Sequence, residues 1–205
     1  ANRLLEKNRR RFPEFIPNLK DLGILHAMVG TIPDNYQWGV KLLTSLNGTI
    51  RQGRKELEQV VDYANRNEFL FREEARSMYA YLLMHLAKDE EAAWKVIRTS
   101  GLSPKTNHLH CFIMSIIAMR SGHNNEAIQI LSNFKKDDKC LDFPYLDYML
   151  GLAKLRRLDS DAAPYFQRFL AKNKTPYYVK EAYQKLAWQS LVNGKSSKYA
   201  AYMKA

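Results

Sequence analysis

The soft ligands of this 205-residue chain cluster at His108-Leu109-His110-Cys111, with His123 and Cys140 further along. Imidazole and thiolate groups bind zinc when they converge on one point. His108 and His110 stand two apart, so on one helix they point to different sides. That spacing reads as a helix start followed by a core thiol. Gly48 and Gly53 supply glycines for a phosphate loop, but the Lys-Ser/Thr ending and the preceding strand are missing. Glu73-Glu74 and Asp89-Glu90-Glu91 offer paired carboxylates. Acid–base chemistry needs two such groups in opposed environments, whereas a helix start favours acidic residues for its own dipole. Asn47-Gly48-Thr49 fits the glycosylation tripeptide, a pattern met by chance. The chain therefore reads as non-enzymatic, with no catalytic residue, no metal and no cofactor.

The elements that would position any site read as helices. Apolar residues recur at helical spacing in Asp34–Leu46 (Trp38, Leu42, Leu43), Ile50–Ala64 (Leu57, Val60, Val61, Ala64) and Phe69–Ala87 (Ala75, Tyr79, Leu82, Leu83). Leu109–Arg120, Asn125–Lys135, Pro144–Arg157, Ser160–Lys172 and Tyr178–Leu191 follow. Asp89 and Asn124 stand where N-caps are needed. Gly122 and Asn193-Gly194 stand where helices end, and Pro164 falls in a first turn. Ala92, Ala127 and Ala162 lie 35 residues apart, each opening a second helix after a polar turn. A fixed period of this length marks stacked helical hairpins.

Composition narrows the partners. The net charge is +11, carried by the two ends. Residues 1–20 hold six basic and two acidic side chains, and residues 165–205 hold eight and one. The middle is balanced, with 18 of each. A nucleic-acid groove along the repeats would spread cations over all of them. No uncharged run is long enough to span a membrane. Cys111 and Cys140 form no disulfide framework. No signal peptide is visible, and the chain opens on Ala1. The expectation is a trimmed or mature form, soluble, either cytoplasmic or exported with its signal segment removed.

The repeats resemble the tetratricopeptide repeat (TPR) family. Leu150-Gly151 with Asp161-Ala162, Tyr165-Phe166 and Phe169-Leu170 is similar to its motif, as is Gly122-x3-Glu126-Ala127 with Leu131 and Phe134. The resemblance implies an all-α TPR-like superhelix, or solenoid, of about five antiparallel helix pairs. They would occupy about 34–67, 68–104, 105–141, 142–176 and 177–205, with 1–33 a helical segment packed on the first. It implies a scaffold that binds a protein or peptide in a concave groove lined by the first helices. Carried over position by position, the groove would include Trp38, Ser45, Ser77, Tyr81, Met84, His85, Phe112, Arg120, Tyr148, Arg156 and Gln189. The residues expected to bind are Trp38, Tyr81, His85, Phe112, Arg120, Tyr148 and Arg156. The alternatives are an RNA-binding array of pentatricopeptide type and a lipid or acyl-chain site in the groove. The last repeat lacks a polar cap, which leaves oligomerisation through its end open.

Overall fold

A computed structural model describes residues 2–33, 35–36, 38–39, 47–135 and 141–204. The expected first helix over Asp34–Leu46, with Leu42, Leu43 and Ser45, lies largely outside the described residues, as does Cys140. Among the described residues there are eleven helices and no strands. They are α1 (Asn2–Arg11), α2 (Pro17–Val29), α3 (Ile50–Arg66), α4 (Arg72–His85), α5 (Glu90–Arg98), α6 (His108–Arg120), α7 (Asn124–Ser132), α8 (Tyr145–Arg156), α9 (Ala163–Lys172), α10 (Val179–Val192) and α11 (Ser196–Lys204). The chain divides into two compact units, Ala1–Leu102 and Ser103–Ala205.

In the first unit the tightest contact is α2 against α3. Thr49 caps α3 by accepting the Gln52 amide at 3.0 Å. Gly53, one turn on, faces α2 so closely that an added Cβ would sit 2.2 Å from the Gly23 carbonyl oxygen and 2.7 Å from the Ala27 Cβ. Gly23 meets Leu57, and Gly48 meets His26. Rising positions in α3 thus meet falling positions in α2, so the two run antiparallel. Leu19, Val60 and Ala75 then join α2, α3 and α4 in one core. Asp89 caps α5 by accepting the Ala92 amide, and its other oxygen takes the Arg54 guanidinium at 2.8 Å.

In the second unit, each helix packs on its sequence neighbour, and α6 also touches α8, as α8 touches α10. Two cores result. Cys111, Ile128, Leu131, Met149, Leu150 and Ala153 form one, and Tyr148, Ala162, Phe166, Phe169, Ala182 and Leu186 the other. Burial pushes the Cys111 thiol up to about 11, so it stays a neutral apolar group.

One turn recurs through this unit. Gly122, Leu158 and Gly194 all have positive φ, at 81°, 62° and 69°. In each case the following amide bonds five residues back: His123 to Ala118, Asp159 to Lys154, and Lys195 to Ser190. This is the Schellman closure, which satisfies carbonyls left open at a helix end. Glycine takes that backbone freely, but Leu158 takes it at a steric cost. The side-chain cap expected at Asn124 is corrected. His123 occupies the cap position without a side-chain bond, and Asn124 is the first helical residue. Its amide donates to the Ala153 carbonyl at 2.8 Å, which ties one hairpin to the next.

An aromatic strip as the candidate functional site

The strip belongs to the second unit and is built at the starts of its first helices. Asn107 caps α6 by accepting the Leu109 and His110 amides, which places His108 at the helix start and Phe112 one turn on. Pro144 opens α8, with Phe143 before it and Tyr145 after it. Before α10 the chain makes a tight turn around Asn173. The Asn173 amide donates to the Thr175 and Tyr177 carbonyls, and its oxygen accepts from Thr175. Tyr178 follows in the left-handed region at φ 62°, an uncommon backbone for a bulky residue.

These local constraints bring the rings into one run. His108 meets Phe143 at 6.4 Å, Phe143 meets Phe112 at 5.9 Å, and Phe112 meets Tyr145 at 6.0 Å. Tyr145 meets Tyr178 at 4.7 Å. These are the separations of favourable ring pairs. Phe143 and Tyr178 are exposed along the run, and Tyr177, next to Tyr178 in the chain, is 73% exposed. Beside the run, a cleft of ≈ 350 Å³ lies between His108, Phe134 and Phe143 on one side and Tyr165, Arg168 and Lys172 on the other.

Two phenols have shifted acidity, Tyr145 within the strip and Tyr148 beneath it. Burial pushes Tyr145 well above the ordinary range, and a hydrogen bond with Tyr178 adds to this. Burial and then the neighbouring Glu181 charge do the same for Tyr148, whose hydroxyl donates to Glu181 at 3.3 Å. Both phenols stay protonated.

The expected binding residues disperse. Phe112 stands in the strip. Tyr148 is only 3% exposed, its ring packed on Phe166 and Phe169, which makes it a core residue rather than an open ring. Arg120 and Arg156 are exposed, but each is the last residue of its helix. Each lies eight residues, roughly 12 Å, beyond Phe112 or Tyr148, where a cation complements the helix dipole. In the first unit, Tyr81 and His85 are half-buried and stack on one another at 5.6 Å, and Trp38 is exposed. Met84 and Gln189, carried over as groove positions, are buried, with the Gln189 amide on the Asp159 carbonyl. Among the described residues no cluster of His, Cys, Asp or Glu is placed to hold a metal ion.

Sequence reasoning missed Tyr177 and Tyr178 and did not single out Tyr145. A signal was present: Phe143-Pro144-Tyr145 and Pro176-Tyr177-Tyr178 both place aromatics around a proline just before a first helix. It also missed a polar cluster in the first unit. His26 and Glu56 are 2% and 4% exposed and face each other at 2.6 Å. Arg9 donates to Glu56 at 2.6 Å, Gln52 reaches both, and Glu6 meets the far ring nitrogen of His26 at 3.2 Å. The Glu56 hydrogen bond raises the His26 pKa against the opposing effect of burial, and Glu6 adds to it. Burial pushes Glu56 up, but hydrogen bonds from His26, Gln52 and Arg9 outweigh it and hold the carboxyl below its ordinary range. His26 and Glu56 are closed to solvent while Glu6 and Arg9 cover them from a half-open edge, and the chemistry of the cluster is that of a clamp.

No protein-family model matches the chain, and no curated protein is significantly similar to it. Among the described residues no helix is long and apolar enough to cross a membrane.

Proposed function

We propose that the chain is a non-catalytic, TPR-like interaction module that takes a peptide segment of a partner protein along the aromatic strip of its second unit. The observation that carries this reading is the run of rings from His108 to Tyr178, open along Tyr177 and Phe143. Rigid aromatic rings fixed at helix starts give contact area with little ordering cost, the property of interface anchors. Proline-bearing or apolar peptide side chains would seat on the rings, and the tyrosine hydroxyls would meet peptide carbonyls. The adjoining cleft holds Asp142 and Asp147 as well as Arg168 and Lys172, with Arg168 on Asp147 at 2.9 Å, so it offers polar contacts of both signs beside the rings.

The test uses peptides selected from a displayed random library on the whole chain. Tyr177→Ala and Phe143→Ala should each weaken a selected peptide by about tenfold or more, with an unchanged far-UV circular dichroism spectrum. Selected peptides that ignore both substitutions would overturn the reading. So would a steeply salt-dependent RNA shift that Tyr177→Ala abolishes, which would establish the RNA-binding alternative instead.

A further inference from the structure

We propose that the outer stripe of α1 is a docking surface for an anionic lipid surface. A soluble amphipathic helix buries apolar side chains against its neighbours, whereas α1 turns polar groups inward and leaves Leu4 out among its cations. Its inward contacts are largely polar: Glu6 on His26, Asn8 on Asn18, and Arg9 on Glu56. Its outward residues are Leu4, Lys7, Arg10 and Arg11. Leu4 is 72% exposed, and Phe12 and Phe15, just past the helix end, are 51% exposed each. The Arg11 guanidinium lies 5.5 Å from the Phe12 ring centroid, so charge and apolar surface are interleaved.

Shape and charge select the occupant. A hollow of ≈ 360 Å³ on this face is lined by Leu4, Leu5, Lys7, Asn8, Arg11 and Phe12. All six come from α1 and its end, so no second element supplies the opposite wall that a peptide groove needs. A protruding face with apolar tips and a cationic flank fits a planar anionic interface, where apolar side chains enter the headgroup boundary and cations meet the lipid charge. The carboxylates along this segment do not neutralise it. Glu6 is turned inward on His26, which leaves Glu14 as the exposed acid between residues 3 and 16.

The test is co-sedimentation of the whole chain with phosphatidylcholine vesicles, with and without phosphatidylserine. Binding should require phosphatidylserine and weaken as salt rises. The combined Lys7→Gln, Arg10→Gln and Arg11→Gln variant should partition about a hundredfold less, at about fivefold per cation. Leu4→Ser with Phe12→Ser should weaken binding while keeping its salt dependence. These positions are exposed, so circular dichroism should match the parent chain. If the triple variant loses that spectrum, Arg10→Gln alone carries the test, with about a fivefold loss expected. The proposal falls if phosphatidylserine vesicles bind no chain. It falls equally if binding survives the α1 substitutions and is lost instead with Lys172→Gln, Lys174→Gln and Lys198→Gln. Binding of single-stranded RNA or polyglutamate through α1, with none to vesicles, would also overturn it.

Discussion

In the first unit α2 and α3 meet backbone to backbone, with glycine at the contact and a charged cluster sealed over it. In the second unit α8 and α9 meet through rings: Gly151 of α8 faces the Phe166 ring, and Tyr148 packs on Phe166 and Phe169. Backbone against backbone tolerates no added atom, because neither side can turn away. A ring can tilt by a few tenths of an ångström. Charge adds a second contrast. The first contact holds its charged groups, His26 and Glu56, inside, whereas the ion pairs of the second, Arg168 with Asp147 and Lys154 with Asp161, lie at its edge. Helix packing of one kind is thus rigid with its charges buried, and of the other adjustable with its charges at the rim.

The strongest challenge to this contrast is Phe166→Ala. It removes the largest fully buried side chain and should cost about 4 kcal/mol, read from urea unfolding and from the amides of α8 and α9. Gly53→Ala should cost about 3 kcal/mol through overlap with α2, less the roughly 1 kcal/mol that alanine gains inside a helix. Its signal should be faster exchange of the α2 and α3 amides. Gly151→Ala is the matched control. Its Cβ would meet the Phe166 ring at 3.0–3.1 Å, and the net change should stay within about 1 kcal/mol. Equal effects at Gly53 and Gly151 would erase the distinction between the two contacts.

The pH dependence sharpens it. His26 has a folded pKa above its ordinary 6.5, so its contribution is complete below pH 6.5 and fades as pH rises through the folded value. Glu56 has a folded pKa below its ordinary 4.5, so its contribution is complete above pH 4.5 and fades as pH falls through the folded value. Protection of the α2 and α3 amides should therefore peak between pH 4.5 and 6.5. Glu6 and Arg9 from α1, and Gln52 and Glu56 from α3, are the groups that set this response. A titration of the His26 ring by NMR that gives an ordinary midpoint would refute it. The smallest effect is expected at Leu158→Gly, which should stabilise the second unit by up to about 1 kcal/mol by removing left-handed strain.

Turns and caps were legible because each rests on one or two residues. Asp89 as a cap, Pro164 in a first turn, and Gly122 and Gly194 as helix ends all follow from backbone chemistry alone. The third turn was legible as a polar stretch before Ala162, but its left-handed closure was not, because Leu158 stands where glycine is the usual sign. The strip was partly misread for a related reason. Helical spacing places Tyr148 on a face but does not say whether another hairpin covers that face, and Phe166 and Phe169 do cover it. Tyr177 and Tyr178 lie in a loop fixed by the Asn173 side chain, which no periodicity reports. The His26–Glu56 pair left no trace in the sequence pattern, since a buried ion pair and an exposed one carry the same letters.

The recurring turn at Gly122, Leu158 and Gly194 has a consequence for how the chain tolerates change in length. Successive turns are 36 residues apart and share one backbone shape. Splicing from one turn to the next removes a whole hairpin and rejoins like to like, with no new junction to invent. Duplication at the same points adds one on the same terms. The second unit would thus change length in whole hairpins, and an insertion of any other size would be absorbed as a bulge between them.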